Sequence, residues 1–244
     1  MSPHTQIPLL TNEEKSKWRT IFMTIRQAIL EHSKMFRENG IIHGNVCPQT
    51  IGNQTGLGFL DSMNMPFNPA FQSLVRLNIV NIGTDSNARK AHMLEKLPTS
   101  YVDDLESFFY SLAYLCMRYS RAVPDHDNFA EPKWTWDPLS YAAIMEKERI
   151  YDHGILAWSH SRGEAVLFTA FFKDLVACLK KAREADRNFQ MRQDAFKHGT
   201  RRAHTFYLED LPQRSADQRE SDVITAYVGF ISGIDEVLSR IREL

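Results

Sequence analysis

The sequence predicts a mainly α-helical protein with a small β element between residues 41 and 65. Three observations predict it. Apolar residues recur at three- and four-residue spacing over most of the chain. Residues 105–117 are apolar almost all round, as in a helix buried at the centre of its domain. Short apolar runs broken by Gly, Asn and Pro are confined to residues 41–65, where strands and tight loops fit better.

The elements follow in order. Residues 1–10 read as a flexible arm. Thr11 and Glu14 form a capping-box pattern, and Trp18, Phe22, Ile25 and Ile29 then mark one face of an amphipathic helix that ends at Asn39-Gly40. The runs Ile41-Ile42-His43, Thr50-Ile51-Gly52-Asn53 and Leu57-Gly58-Phe59-Leu60 read as short strands and tight loops. Between 62 and 101 no period persists for long, and Pro66, Pro69, Gly83 and Pro98 punctuate a stretch that reads as a long loop: functional, disordered or broken by short helical turns. Asp103 and Asp104 open the buried helix, where carboxylates accept free amides and match the helix dipole. An irregular crossing from Pro124 to Trp136 precedes helices near 139–152 and 164–190. Ile224, Tyr227, Ile231, Ile234, Leu238 and Ile241 then mark a final amphipathic helix. No repeat or sharp change of composition divides the chain, so residues 11–244 are expected to form a single domain.

Composition narrows the function classes. The chain has 244 residues, 43% of them hydrophobic and 24% charged, enough to bury a core without disulfides or metal. A net charge of −1 offers no global attraction to nucleic acid or anionic lipid. The three cysteines are far apart and odd in number, no apolar run spans a membrane, and no secretory pattern opens the chain, so a cytoplasmic location is expected. Asn53-Gln54-Thr55 then reads as a chance sequon. Nine histidines include no H-E-x-x-H and no close Cys/His set, so neither a metal nor a cofactor is expected. His153 and His160 around Trp158, and the basic interval Lys197–His204, read as surface or packing features. Gly229 and Gly233, four apart on the last helix, allow another backbone to approach, within the fold or in a dimer.

Three segments carry a resemblance. Ile41-Ile42-His43-Gly44-Asn45-Val46-Cys47-Pro48-Gln49-Thr50-Ile51 is similar to a kinase catalytic loop of the form H-R-D-I-S-x-x-N-I. Gly58-Phe59-Leu60-Asp61-Ser62-Met63 stands where a strand and metal-binding Asp would follow, 16 residues beyond Asn45. Asp103-Asp104-Leu105-Glu106-Ser107-Phe108-Phe109-Tyr110 matches the D-D-L-E-S-F-F-Y run that opens a central helix. Together they resemble the C-terminal lobe of the fungal-type protein-kinase-like family, over roughly residues 12–150. The fold this implies is a protein-kinase-like C-lobe, with the small β element near a degenerate catalytic loop and the N-lobe absent, because no G-x-G-x-x-G or V-A-I-K-like strand precedes residue 41.

The resemblance also implies site residues: His43, Asn45 and Asp61 at degenerate catalytic positions, Thr50 and Asp61 as ligand-binding groups, and Asp104 as a structural anchor for loop amides. Kinase chemistry needs a carboxylate to take the substrate proton and carboxylate- and amide-held Mg²⁺. Asn45 replaces that carboxylate and has no useful basicity; Gly44 replaces the Arg, and Thr50 replaces the metal-binding Asn. Asp61 is left as one carboxylate, open between residual ligand binding and a solvated or capping role. His43 is open between a base and a packed core residue. The expectation is a pseudokinase-like binding or scaffold module whose partner, another protein or a second copy, occupies the surface left by the missing lobe. The alternative is a repurposed enzyme using the former cleft for ATP-independent isomerisation, cyclisation or elimination of a small molecule, with a biosynthetic role.

Overall fold

The computed structural model describes residues 10–54, 57–60, 66–83, 86–97, 99–119, 131–153, 162–197 and 216–243. It is mainly helical. Helix α1 spans Asn12–Asn39, and its start is the predicted capping box: the Thr11 amide donates to Glu14 Oε2 at 2.7 Å and the Glu14 amide to Thr11 Oγ1 at 3.3 Å. Its end folds back through the Gly40 amide onto Phe36 O. Strands β1 (Ile51–Gln54) and β2 (Leu57–Leu60) form an antiparallel hairpin with Ile51 opposite Leu60 and Gln54 opposite Leu57, and β2 lies against α1.

The stretch expected to be a long loop is instead largely helical. A 3-10 turn at Pro69–Phe71 leads into α2 (Leu74–Gly83) and α3 (Asn87–Lys96). Val75, Ile79 and Val80 have modest helix propensity and mask the period of α2. Burial decides the outcome: Leu77 and Val80 from α2, Leu94 from α3, and Leu139 and Ile144 form a small core of their own.

Helix α4 (Tyr101–Tyr119) is central, as its apolar circumference predicts, with fifteen of its residues buried. A single turn, α5 (Lys133–Trp136), then α6 (Tyr141–His153), α7 (Arg162–Lys197) and α8 (Ala216–Glu243) follow. Helices α1, α4, α7 and α8 surround the main core. Its aromatic rings meet largely edge to face, as at Trp18–Phe168 (4.9 Å between centroids), Phe22–Phe171 (5.5 Å) and Phe109–Phe172 (5.5 Å). No helix among the described residues is long and apolar enough to cross a membrane.

The paired glycines of α8 serve the close approach of α7. Gly233 faces Leu175 and Phe171, and a Cβ added at Gly229 would lie 2.7 Å from Cys178 Sγ. That thiol itself donates to Ala226 O at 3.4 Å. Gly229→Ala is therefore expected to destabilise the protein by about 1–3 kcal/mol through overpacking, despite alanine's helix advantage of about 1 kcal/mol. In a Cys178→Ala background the same change should be neutral or stabilising. Urea unfolding of the four variants checks this, and equal losses in both backgrounds would contradict it.

Candidate functional site

The loop that follows α1 is built around one carboxylate. Asp104, 1% exposed in the first turn of α4, accepts the His43 amide at 2.8 Å and the Gly44 amide at 3.0 and 3.1 Å. Gly44 reaches this position in the left-handed region, with φ of +72°, where a side chain is strained. The same Asp104 oxygen that holds His43 also meets His32 Nε2 at 2.7 Å, and His32 Nδ1 meets the Tyr227 hydroxyl at 2.7 Å. One carboxylate thus joins α1, the loop, α4 and α8 inside the core. Burial holds the Tyr227 hydroxyl well above its usual range, and the negative charge of Asp104 pushes the same way.

The expected catalytic and ligand positions have other engagements. His43 is buried, and its Nδ1 accepts the Asn45 amide at 3.2 Å. Asn45 spends both ends of its carboxamide on nearby backbone: Nδ2 donates to Pro66 O at 3.1 Å and Oδ1 accepts the Asn68 amide at 2.8 Å. Thr50, expected to face a ligand, is fully buried and faces its own loop instead. Its hydroxyl accepts the Cys47 amide at 2.9 Å and shares its proton between Cys47 O (3.0 Å) and Asn45 O (3.2 Å). The structure brings His43, Asn45, Thr50 and Asp104 together in one hydrogen-bonded unit. Asp61 lies outside the described residues, as do Trp158, His160 and residues 198–204 of the basic interval.

A second polar cluster fastens the segment after the loop. Arg183 from α7 forks onto Asp103 Oδ1 at 2.7 Å and Glu106 Oε2 at 2.6 Å. Burial pulls this guanidinium down, but Glu106 and Asp103 outweigh burial and hold its pKa above the ordinary value. Ser73 Oγ donates to Asp103 at 2.7 Å, and the Leu74 amide donates to Glu106 at 2.7 Å. Gln72 links the two clusters. Its Nε2 donates to Gly44 O at 3.2 Å, its Oε1 accepts from Arg76, and its carbonyl accepts from Lys147 Nζ at 2.6 Å. Arg76 also donates to Leu94 O and Leu97 O, tying α3 to the same hub.

Lys147 is fully buried. Its ammonium lies 4.1 Å from the Tyr110 ring centroid and 5.5 Å from that of Trp134. Burial pulls its pKa down to about 7, with Glu106 opposing.

Sequence reasoning named Asp104, His43, Asn45 and Thr50 but missed His32, Gln72, Arg76, Lys147, Arg183 and Tyr227 as members of these clusters. For two of them a signal was present. His32 continues the Ile25–Ile29 stripe of α1, and Lys147 lies between Ala143 and Ile150 on the inward face of α6: polar groups on apolar faces that need a buried partner. A groove of about 310 Å³ lies elsewhere, between α7 and α8, lined by Cys178, Lys181, Ala182, Asp222 and Thr225 among others, and no residue of the 43–50 loop lines it. No protein-family model, no curated protein and no solved structure matches the chain.

The buried amine makes a pH prediction. With a folded pKa near 7 against about 10.4 unfolded, Lys147 binds fewer protons in the fold across that window, so stability rises with pH. The gain should be on the order of 1 kcal/mol per pH unit between pH 7.5 and 9. The buried tyrosines, whose pKa values are raised, oppose it only at higher pH, while Cys178, whose thiol burial pushes up, offsets part of the gain toward pH 9. Lys147→Met should flatten the rise, and a wild-type stability that falls from pH 7.5 to 9 would contradict the assignment.

Proposed function

We propose that this chain is a pseudokinase-like C-lobe that acts in the cytoplasm as a binding or scaffold module and transfers no phosphate. Asn45 carries the reading. In the position that the resemblance gives to the proton-accepting carboxylate there is a carboxamide, and both of its ends are bonded to the backbone of residues 66–68. A carboxamide takes up no proton near neutral pH, so a substrate hydroxyl placed there gains no general base. Thr50 supports the same reading, because a hydroxyl turned onto its own loop presents no oxygen to Mg²⁺. Asp104 fits as the anchor: it spends its charge on loop amides and on His32, so the loop is a fixed platform. The partner is a protein, or a second copy of this chain, that meets the surface above this loop.

Thermal unfolding with and without Mg·ATP tests the reading. A site occupied at 100 times its dissociation constant adds about 2.7 kcal/mol of stability. The expected result is an unchanged midpoint. A rise that Asp61→Ala abolishes would overturn the proposal.

A further inference from the structure

Helices α1 and α8 pack along one seam, and three contacts fix how they face. Arg26 forks onto Asp235 at 2.7 and 3.2 Å, His32 meets Tyr227 at 2.7 Å, and Arg37 meets Glu220 at 3.8 Å. The α8 number falls as the α1 number rises, so the helices are antiparallel and the contacts mark successive levels. His32 and Tyr227 are buried, whereas the side chains of Arg26, Asp235, Arg37 and Glu220 reach solvent. The ion pairs therefore lie on the outer side of the seam. On α1, Met23 and Leu30 stand three residues before and four after Arg26. On α8, Ile224 stands four after Glu220, Ile231 four before Asp235, and Val228 between them. That spacing puts each on the side of its ion-pair residue. Met23 and Val228 are 42% and 54% exposed, and Leu30, Ile224 and Ile231 are half-buried. The five make an apolar strip into which the two ion pairs are set.

The charge on this face divides by helix. From residue 19 to 37, α1 carries Arg19, Arg26, Lys34 and Arg37 at three-, four- and seven-residue spacing from the strip, and the one anion in that span, Glu31, is half-buried. From residue 217 to 235, α8 carries Asp217, Glu220 and Asp235 at the same spacings, with Asp222 half-buried in the groove beside α7. The one cation in that span, Arg219, stacks 3.7 Å over the Phe189 ring of α7. Glu236 and Arg240 pair with each other beside α7. The signs reverse only at the two ends, at Glu38 and Arg242.

A face that is basic along one helix and acidic along its antiparallel neighbour complements itself. Half a turn about an axis parallel to the helices lays the α8 of a second copy over α1, and its α1 over α8, with every residue kept at its own level. Arg26 then comes level with Asp235 of the second copy, and Arg37 with its Glu220, so each ion pair becomes half of a four-residue network. Every neighbouring helix pair is antiparallel, as in an up-and-down bundle. The two-fold axis perpendicular to the helices sets α1 on α1 instead, cation against cation. A single foreign helix would need anions on one flank and cations on the other, a pattern that a second copy already has. From Arg19 to Arg37 the face is about 27 Å long and about 20 Å wide, on the order of 500 Å² per copy against ~800 Å² in a standard interface, which makes a weak, reversible dimer.

We infer that the outer face of α1 and α8 is a self-association surface, on which two copies of this chain pack as an antiparallel four-helix bundle around Met23, Leu30, Ile224, Val228 and Ile231. The inference does not rest on the reading of the 43–50 loop and stands whether or not that loop proves inert to nucleotide.

Sedimentation velocity of the full chain over the micromolar range at low salt tests it. Wild type should pass from monomer to dimer as concentration rises. Val228→Asp should raise the dissociation constant at least tenfold. Arg37→Glu and Glu220→Arg should each lose self-association, yet associate with each other when mixed, because in the mixed pair both contacts between copies regain opposite signs. The Arg37–Glu220 pair is exposed and spans 3.8 Å, so reversing either charge leaves the fold intact, which circular dichroism and melting check. Rescue on mixing separates a lost contact from a damaged fold, and it selects the two-fold axis parallel to the helices. A monomer at every concentration, a dimer that Val228→Asp leaves unchanged, or a mixture that stays monomeric overturns the inference, even where another protein binds this face.

Discussion

The Asp104 carboxylate is the point on which the arrangement of this protein depends. It arises from α4, the most buried helix, and reaches two successive amides of the 43–44 turn together with an imidazole on α1. Each of those donors is buried or nearly so, and a buried amide or ring nitrogen without an acceptor costs about 1–3 kcal/mol. A charge buried to this extent is itself unfavourable unless its lone pairs are filled. Here three donors fill them, so the carboxylate and the turn each need the other. Gly44 belongs to the same constraint, because only a left-handed residue presents its amide beside that of His43.

From this anchor the polar interior extends outward in a connected order. Gln72 takes the Gly44 carbonyl on one side and Lys147 and Arg76 on the other, while Arg183 clamps Asp103 and Glu106 on the adjacent turn of α4. The consequence is a loop in which the side chains of His43, Asn45 and Thr50 are already committed: His43 to Asn45, Asn45 to residues 66–68, Thr50 to Cys47 and Asn45. A catalytic loop must leave such groups free to exchange partners with a substrate. A binding platform is better served by groups that stay put, which is the physical content of the scaffold reading.

Much of the fold was legible because its signals were local. The Thr11–Glu14 cap, the apolar circumference of α4 and the stripe of α8 each predict their element from a few neighbouring residues. Helices α2 and α3 were not legible, since β-branched residues and a short span obscure their period and their stability comes from a small core shared with Leu139 and Ile144. Within the site, Asp104 was readable as an anchor because the run around it resembles a known helix start. The direction of the Thr50 hydroxyl was not readable, because whether it faces outward or inward depends on where the Cys47 amide points. Lys147 and Arg183 were hidden for a related reason: their partners lie 75 to 80 residues away along the chain, and no periodicity reports a pairing at that distance.

The central claim is that one carboxylate holds the 43–44 turn, and amide hydrogen exchange of wild type against Asp104→Asn measures it most directly. The substitution keeps size and removes charge and one acceptor. The His43 and Gly44 amides should exchange slowly in wild type and at least a hundredfold faster in the variant, while amides in the middle of α7 keep their protection. Unchanged exchange at residues 43 and 44 in a folded Asp104→Asn protein would contradict the account.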